Sequence, residues 1–381
     1  MSKNNKTTPN VPTLRFPNFS ENWQRTSMGK ICSFYKGRGI SKENLSDSGA
    51  PCILYGELYT TYKTAIAKSI KSKTNLDDSL LFHSKKNDVI IPCSGETAED
   101  IATSVCVPYD DILLGGDLTV IRSELDGAFL SNQINSARKY DIARVAQGKS
   151  IVHLQADELK KITIAFPSME EQQKISIFID MLDEKIEVQN KIISKYESLI
   201  KGISKHIVHI ACGKTITLKE VSSIYQPVTI TQAELDENGQ YPVYGANGII
   251  GHYNNYNHEN SQIIITCRGS TCGTVNISEP FSWITGNSMV INVDNFEDKI
   301  DKMYLYYYLK TISFRDLISG SGQPQIVRKP LLDLIVLLPE LEVQKYYRLI
   351  ISKIAEKLEN EKEMLSALQR QKAFLLKAMF I

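Results

Sequence analysis

Several features that would support catalysis, metal binding or membrane insertion are missing from this sequence. It has no run of about eighteen apolar residues, the length that a helix needs to cross a membrane. The seven cysteines form no Cys-x-x-Cys pair, and the nearest two, Cys267 and Cys272, have no histidines grouped with them, which excludes a zinc site of the usual spacing. No Pro-Pro dipeptide occurs, although methyltransferases that act on amino groups use an Asn/Asp-Pro-Pro-aromatic motif.

The glycines are not placed for phosphate binding either. Gly148-Lys149-Ser150 and Gly213-Lys214-Thr215 resemble the end of a P-loop, but a P-loop needs a further glycine five positions before the second one. Ala143 and Val208 stand at those positions. The sequence therefore offers no nucleotide, cofactor or metal site, and we expect a non-catalytic protein.

Charge and length set further limits. The formal net charge is +1, so composition alone makes no case for nucleic-acid binding. Met1–Asn10 is polar and lacks the apolar segment of a secretory signal, which predicts a disordered arm on a cytoplasmic protein with free thiols. A length of 381 residues predicts two or three domains.

Two stretches carry a heptad repeat of apolar residues. The first follows Pro167 and the second follows Pro339, at an offset of 172 residues (339 − 167). A mean spacing of 3.5 residues puts these side chains on one narrow stripe of a helix, which is typical of a coiled coil; ordinary amphipathic helices of a globular core are the alternative. The stripes consist of Ile175, Ile179, Leu182, Ile186, Ile193, Tyr196, Ile200, Ile203, Ile207 and Ile210, and of Tyr347, Ile351, Ile354, Leu358, Leu365, Leu368, Leu375 and Met379.

Few polar residues interrupt the stripes. Gln189 in the first copy corresponds to Glu361 in the second, and such positions set helix register at some cost in stability. Lys372 breaks the second stripe where the first copy has Ile200. Ahead of the first stripe, Ser168 and Glu171 predict a capping box.

The duplication extends upstream of the helices. A strand that ends in proline precedes each helix, at 162–167 and 334–339. Further back, 88–95 resembles 262–269, since each is an apolar strand that runs into a turn of small residues, and Leu114-Gly115-Gly116-Asp117 resembles Ile284-Thr285-Gly286-Asn287. The chain is therefore predicted to be a domain duplication.

The predicted order is an arm, a globular unit, a long helix, a second globular unit and a second long helix, with bounds at 1–22, 23–166, 167–211, 212–338 and 339–381. Each unit mixes short strands, Gly-rich turns and one or two helices, which predicts an α+β domain. The likeliest helices are 131–146 and 299–311. The turns differ most between the copies, which indicates that they carry the task in which the two copies differ.

The turns hold side chains that can read a surface. Arg, Gln and Asn form paired hydrogen bonds with base edges, whereas Lys and hydroxyl groups hold phosphates. Each such residue alone is more often an ordinary solvated turn residue, but the repeated set favours a recognition surface. The predicted set is Lys36, Arg38, Tyr55, Glu57, Tyr59, Lys63, Ser94, Glu96, Gln147 and Lys149 in the first unit, and Tyr244, Asn247, His252, Tyr253, Arg268, Ser270, Asn287, Gln323 and Gln325 in the second.

This organisation resembles the specificity subunits of type I restriction–modification systems. The likeness covers essentially the whole chain and rests on motif order together with duplication. The motifs are Val11-Pro12-Thr13-Leu14-Arg15-Phe16-Pro17 with Trp23, Gly320-Ser321-Gly322-Gln323-Pro324-Gln325-Ile326, and the helix starts Pro167-Ser168-Met169-Glu170-Glu171-Gln172-Gln173 and Pro339-Glu340-Leu341-Glu342-Val343-Gln344-Lys345.

The resemblance implies a fold and a function. Two similar target-recognition domains would each read one half of a split DNA site, and the two helices would pack as an antiparallel coiled coil that spaces them. Two modification subunits would dock on the helices and supply S-adenosylmethionine chemistry, and restriction subunits would add ATP-driven translocation and cleavage. The chain itself would bind no cofactor, metal or membrane.

Two other classes of function stay open at this point. An enzyme that acts without partners would need the cofactor or metal motifs that the sequence lacks. A scaffold whose duplicated domains bind other proteins would show no sequence-dependent DNA binding, even with modification subunits present.

Overall fold

The computed structural model describes residues 10–148, 151–210, 213–320 and 322–381. The backbone forms two compact units, Met1–Asn190 with Glu363–Ile381 and Lys191–Lys362. We call residues 24–166 the first lobe and residues 213–339 the second lobe. Among the described residues, no helix combines the length and the apolar character that a membrane span requires.

The described part of the first lobe contains a five-stranded sheet, a four-stranded sheet, two two-stranded sheets and several short helices. Its strands are β1 Gln24–Ser27, β2 Cys32–Lys36, β3 Leu45–Ser46, β4 Ala50–Ile53, β5 Ser72–Thr74, β6 Phe82–His83, β7 Asp88–Pro92, β8 Ser94–Gly95, β9 Val105–Val107, β10 Leu113–Leu114, β11 Leu118–Ser123, β12 Val152–His153 and β13 Thr163–Phe166. Its helices are α1 Met28–Ile31, α2 Glu57–Thr60, α3 Ala98–Ile101, α4 Gly127–Asn135, α5 Lys139–Val145 and α6 Ala156–Lys161. The long helix α7, Met169–Ile210, follows.

The second lobe has fewer strands. They are β14 Gly213–Thr217, β15 Ser223–Tyr225, β16 Tyr241–Gly245, β17 Gly248–Tyr253, β18 Ile263–Thr266, β19 Val275–Ile277, β20 Trp283–Ile284, β21 Ser288–Asn292, β22 Ile318–Ser319, β23 Gln325–Ile326 and β24 Ile335–Pro339. The helices are α8 Lys302–Leu309 and α9 Arg328–Leu332, and the long helix α10, Leu341–Met379, follows.

The two lobes share one strand order. An antiparallel sheet of four strands has the order β2-β11-β7-β9 in the first lobe and β15-β21-β18-β19 in the second. A parallel pair, β4 with β10 or β16 with β20, lies in a second sheet, and an antiparallel pair, β1 with β13 or β14 with β24, leads to each long helix. The central strands β7 and β18 are fully buried, as their apolar sequences predict. The predicted duplication of an α+β domain is confirmed.

The two long helices pack antiparallel. In the first unit Ile175, Ile179 and Leu182 of α7 form one buried cluster with Leu375 and Met379 at the end of α10. In the second unit the later part of α7, with Ile200 and Ile203, packs in the cluster that contains Tyr347 and Ile351 from the start of α10. Opposite ends of the helices therefore meet, as the resemblance implied. The side chains of the last predicted stripe residues, Ile207 and Ile210, lie outside the described part of the structure.

Lys372, the charged residue that interrupts the second apolar stripe, has a partner that the sequence did not indicate. Lys372 forms an ion pair with Asp183, whose side chain is only 6% exposed. Burial raises the pKa of Asp183, and the ion pair with Lys372 opposes that shift. Gln189 is also buried, as its place on the stripe predicts.

A buried glutamine joins each long helix to its own lobe. The side-chain carbonyl of Gln172 accepts a hydrogen bond from the backbone N–H of Asp126 at 3.0 Å, and its amide donates to the carbonyl oxygen of Pro167 at 2.9 Å. Gln344, at the offset of 172, makes the same two bonds with Asp301 and Pro339, at 2.9 and 2.8 Å. Both glutamine side chains are almost fully buried.

The aspartates in these links also cap a helix of the lobe. Asp126 accepts a hydrogen bond from the N–H of Phe129 at the start of α4, and Asp301 accepts one from Tyr304 in α8. Each aspartate also binds the long helix, through Ser176 in the first unit and Arg348 in the second. One connected set of hydrogen bonds thus holds the N-terminus of a lobe helix to the N-terminus of the long helix.

The predicted helices within the lobes need correction. The first begins at Gly127, because Asp126 caps it, and it breaks at Ser136, where φ is −122° and ψ is −86°. The second is shorter than 299–311, because the cap at Asp301 fixes its start. The five predicted domain bounds stay a prediction.

The segment before the first lobe packs on the long helices. Both side-chain oxygens of Glu171 accept hydrogen bonds from the guanidinium of Arg15 at 2.7 Å, a contact that the sequence did not indicate. The N–H of Leu14 donates to the carbonyl oxygen of Ala378 at 3.0 Å. Residues 1–9 of the predicted arm, 1–22, lie outside the described residues.

The buried glutamine should matter more than its exposed neighbour. Replacing Gln172 by leucine keeps the side-chain volume but leaves the N–H of Asp126 and the carbonyl of Pro167 unpaired, which should lower the free energy of unfolding by about 1–3 kcal/mol. The Gln173→Leu variant, at an exposed position, should change it by less than about 0.5 kcal/mol. Urea unfolding of the three chains measures both values, and equal losses would refute the linking role.

The ion pair on the helical stripe should give a pH signature. Lys372→Met leaves the buried Asp183 carboxylate unpaired, which should cost about 3–5 kcal/mol of stability near pH 8. A carboxyl group whose folded pKa lies above its unfolded pKa stabilises the fold when protonated, so rising pH through the folded pKa removes stability. The variant should therefore recover part of its loss at pH 5.

The control is the double variant Asp183→Leu with Lys372→Met. It has no buried carboxyl group at this place, so acidification should restore nothing relative to the native chain. Thermal unfolding at pH 5 and pH 8 compares all three proteins. A deficit of Lys372→Met that is the same at both pH values would contradict the assignment.

Candidate nucleic-acid interface

Three turns meet at the end of the central strand in each lobe. After β7, the N–H of Cys93 donates to the carbonyl of Asp117 at 2.8 Å, and the carbonyl of Cys93 accepts from the N–H of Leu154 at 2.8 Å. After β18, Cys267 makes the same two bonds, from its N–H to Asn287 at 2.9 Å and from the N–H of Ile326 at 3.0 Å. Main-chain bonds therefore build the same frame twice.

The third turn is a tight hairpin that starts on a glycine with positive φ. Gly148 has φ +139° and Gly320 has φ +91°. A Cβ at Gly148 would collide with the carbonyl oxygen of Ile151, and one at Gly320 would lie 2.6 Å from the carbonyl oxygen of Gln323. Only glycine fits this bend without strain, which explains why both lobes have it at this place.

The structure brings most predicted residues of the first lobe to this frame. Lys36 and Arg38 are exposed beside it, where the N–H of Arg38 donates to Leu114 at 2.9 Å. Gln147 exchanges two backbone hydrogen bonds with His153, at 2.9 and 2.7 Å, and leaves its own side chain exposed. The Ser94 hydroxyl hydrogen-bonds Nδ1 of His153 at 3.0 Å, and Glu96 is exposed in the turn that follows.

Two tyrosines of the first lobe line a cavity beside this frame, whereas Glu57 and Lys63 make hydrogen bonds within the lobe instead. Tyr55 and Tyr59 form part of its wall. Glu57 uses both side-chain oxygens internally, for the N–H of Leu54 and the hydroxyl of Ser72, each at 2.8 Å. Lys63 lies beyond α2, where its ammonium donates to the carbonyl of Tyr59 at 3.0 Å. Lys149 lies outside the described residues.

The second lobe also assembles part of its predicted set. The exposed Arg268, Ser270, Asn287, Gln323 and Gln325 belong to the three turns. Arg268 pairs with Gln325 through a backbone bridge, which ties the first turn to the hairpin.

Asn247 joins this group through the loop after β16. Its side-chain carbonyl accepts a hydrogen bond from the hydroxyl of Thr271 at 2.6 Å. The amide of Asn247 is exposed, so it stays available to a ligand.

Three predicted residues of the second lobe lie elsewhere. Tyr244 is 6% exposed, and its hydroxyl accepts a hydrogen bond from the N–H of Glu279 at 3.1 Å. His252 and Tyr253 stand at the far end of β17, about 16 Å along the strand from its first residue. Tyr253 packs edge-on against Trp283, with ring centroids 5.3 Å apart.

The residues that sequence reasoning missed are Asp117, His153 and Thr271. Asp117 adopts φ +64° and occupies the place of Asn287 in the shared frame. The repeat already paired Gly116-Asp117 with Gly286-Asn287, so that signal was present. Nothing local marks His153 or Thr271, because their positions depend on hairpin geometry.

The turns carry two thiols and several hydrogen-bonding side chains. Burial raises the pKa of the Cys93 and Cys267 thiols, which keeps both groups protonated near neutral pH. Among the described residues, no three or more His, Cys, Asp and Glu side chains are grouped to hold a metal ion. What the turns present is a set of guanidinium, amide, carboxylate and hydroxyl groups on a fixed backbone.

Comparisons with known proteins agree with this geometry. A family model described as type I restriction modification DNA specificity domain matches residues 20–198 and again 213–370. A putative type I restriction enzyme specificity subunit from Haemophilus influenzae is 28% identical over 127 residues, which are 32% of this chain and 31% of that protein. The EcoprrI specificity subunit from Escherichia coli is 26% identical over 145 residues, 37% of this chain and 35% of that protein.

Each of these alignments thus spans about a third of the relative's length. Solved structures extend the likeness to the whole fold. The S subunit of a type I restriction–modification system from M. genitalium superposes with a TM-score of 0.70 at 20% identity, covering 97% of this chain and 99% of that one. A chain solved in work on complex assembly and conformational transition of the type I R-M system gives 0.56 at 18% identity, with 94% and 97% coverage.

The strand order, the long helix that follows it and the turn frame each occur twice in this structure. The family model likewise matches twice, and its two matches together cover well over half of the sequence. The chain therefore belongs to the type I restriction–modification DNA specificity family.

Proposed function

We propose that this chain is the non-catalytic specificity subunit of a type I restriction–modification complex, in which each lobe reads one half of a bipartite DNA site. The observation that carries the proposal is the turn frame, which main-chain bonds repeat in both lobes and which presents different side chains in each. A constant frame with variable side chains is what two readers of different sequences require.

The side chains at the frame suit base reading. In the second lobe Arg268, Asn287 and Gln325 can each make paired hydrogen bonds, arginine with guanine and the amides with adenine. In the first lobe Asp117 and Glu96 can only accept when ionised, which suits the amino group of cytosine or adenine. The two half-sites should therefore differ in sequence.

The complex supplies what the chain lacks. With a net charge of +1, the chain alone gains little from phosphate neutralisation, so we propose that two modification subunits provide much of the affinity. These subunits would dock on the long helices and carry S-adenosylmethionine, and restriction subunits would carry ATP. The helices would also set the spacing of the half-sites, and the assembly would work in the cytoplasm, where the DNA is.

A single arginine tests the reading of the second half-site. Arg268→Ala should weaken binding by the assembled complex roughly 5- to 150-fold, through loss of one paired contact, and should relax the sequence requirement at one base pair of one half-site. Fluorescence anisotropy with variant duplexes, together with sequencing of methylated DNA, measures both effects.

The matched control is Arg144→Ala, an exposed arginine of the first lobe that pairs with Asp141. It should leave reading of the second half-site unchanged. If Arg268→Ala altered neither affinity nor motif, the turns would not be the reading surface.

Exchange of a whole lobe tests modularity. Replacing residues 23–166 by the matching segment of a family member with another motif should change one half of the methylated site and keep the other half. Sequencing of methylated DNA from cells that carry the hybrid and the modification subunits reads this directly. Changes in both halves would refute independent reading, and sequence-independent binding by the native complex would favour a protein-binding scaffold.

A further inference from the structure

The cavity beside the turn frame of the first lobe has a composition suited to a flat ligand. It measures about 690 Å³, and two tyrosines, Tyr55 and Tyr59, form part of its wall. The apolar side chains of Ile40, Leu45 and Leu54 line it as well. This volume lies within the range of about 300–1,000 Å³ that is usual for pockets that bind small molecules. We call it the first-lobe cavity.

The lining of the first-lobe cavity includes a hydrogen-bond acceptor. Asp117 lines the cavity from the second turn of the frame, and within the described residues its carboxylate makes no hydrogen bond or ion pair. Burial raises the pKa of Tyr59, and the nearby Tyr55, Glu96, Asp100 and Asp117 raise it further. The Tyr59 hydroxyl therefore stays protonated next to a group of carboxylates.

Basic side chains belong to the same surface. Lys42 lines the cavity, and Lys36 and Arg38 are exposed at the end of β2 and just after it. A ligand that carries a flat ring with an amino group and an anionic group would match these aromatic, acidic and basic side chains. A nucleotide of a DNA strand has this arrangement, because its base is flat and its phosphates remain on the backbone.

The equivalent tyrosine of the second lobe has a different environment. Tyr244 of the Tyr-Gly pair corresponds to Tyr55, yet it is buried and holds the N–H of Glu279, whereas Tyr55 is 37% exposed. The aromatic wall is therefore not repeated. A role for the cavity should show in only one half of the DNA site, which gives an internal control.

Building on the proposed function, we propose that the first-lobe cavity receives one nucleobase swung out of the half-site that this lobe reads. The base bears an exocyclic amino group, which donates to the carboxylate of Asp117, and it stacks on Tyr55 and Tyr59. Its flanking phosphates lie near Lys42 and Arg38. Stacking of a base on an aromatic side chain corresponds to roughly 5- to 150-fold in Kd, enough to offset part of the cost of unpairing.

A mismatch scan of the half-site tests this proposal. The probes are labelled duplexes that contain the methylated motif. Each duplex has a single mismatch, made by changing a base on one strand while the opposite base is kept, and every position is tested in turn. Unpairing costs least at a mismatch, so at one position of the first-lobe half-site the mismatch should tighten binding by the assembled complex about tenfold or more. A surface contact without extrusion would give equal or weaker binding at every position.

A variant that fills the cavity separates this effect from base extrusion by the modification subunits. A Cβ on Gly116 would meet only the backbone nitrogen of Gly39, at 4.0 Å, so Gly116→Leu can fill the space without a backbone clash. It should abolish the gain at the first-lobe half-site and leave any gain at a methylated base. Ser33→Leu is the control, because it adds the same side chain at an exposed place on β2 outside the cavity.

Each outcome decides between the proposals. A gain that Gly116→Leu removes and Ser33→Leu keeps supports the cavity as a base site, and Tyr59→Leu serves in its place if Gly116→Leu does not fold. Sequence-specific binding without such a gain, or with a gain that survives both variants, overturns the base site alone. Absence of sequence-specific binding by the native complex overturns the proposed function and the base site together.

Discussion

The hydrogen bonds of one buried glutamine per long helix hold each lobe in a fixed relation to the helix that follows it. Gln172 and Gln344 each join the proline before the helix to the aspartate that caps a helix of the lobe. A buried amide is costly to leave unpaired, so it tolerates only geometries in which both partners are present. Hydrophobic packing alone would let the helix slide, because apolar contacts have little directional preference.

The same reliance on the main chain explains how the turns can vary. Bonds from Cys93 and Cys267 to their neighbouring turns use only backbone atoms, so substitution of the exposed side chains leaves the frame intact. Gly148 and Gly320 are the exceptions, since their positive φ angles are part of the frame. On the proposed function, a constant main-chain frame with variable side chains would let one fold read two different half-sites.

The features that sequence predicted are those that periodic burial encodes locally. The heptads, the offset of 172 and the apolar strands predicted the long helices and the duplicated lobes. Features that depend on contacts between distant parts of the sequence were missed. They include the ion pair of Asp183 with Lys372 and the hydrogen bonds from Arg15 to Glu171. The tyrosine of the Tyr-Gly pair is exposed in the first lobe and buried in the second, which the sequence did not indicate either. Most of the predicted turn residues lie beside the turn frame, whereas internal donors occupy the side-chain oxygens of Glu57 and Tyr244.

Carboxylates beside the turn frame of the first lobe would weaken the binding of DNA of any sequence. Glu96, Asp100 and Asp117 all lie close to Tyr59, and phosphates that approach them are repelled. That repulsion weakens binding to every DNA sequence. The hydrogen bond between a carboxylate and the exocyclic amino group of a base restores binding energy only at a sequence that has this base at the right position. A reader whose partners supply the phosphate contacts can accept weak intrinsic affinity, since discrimination depends on the difference between right and wrong sites. On the proposed function, the near-neutral charge of the chain is consistent with a complex in which this chain supplies specificity and its partners supply affinity.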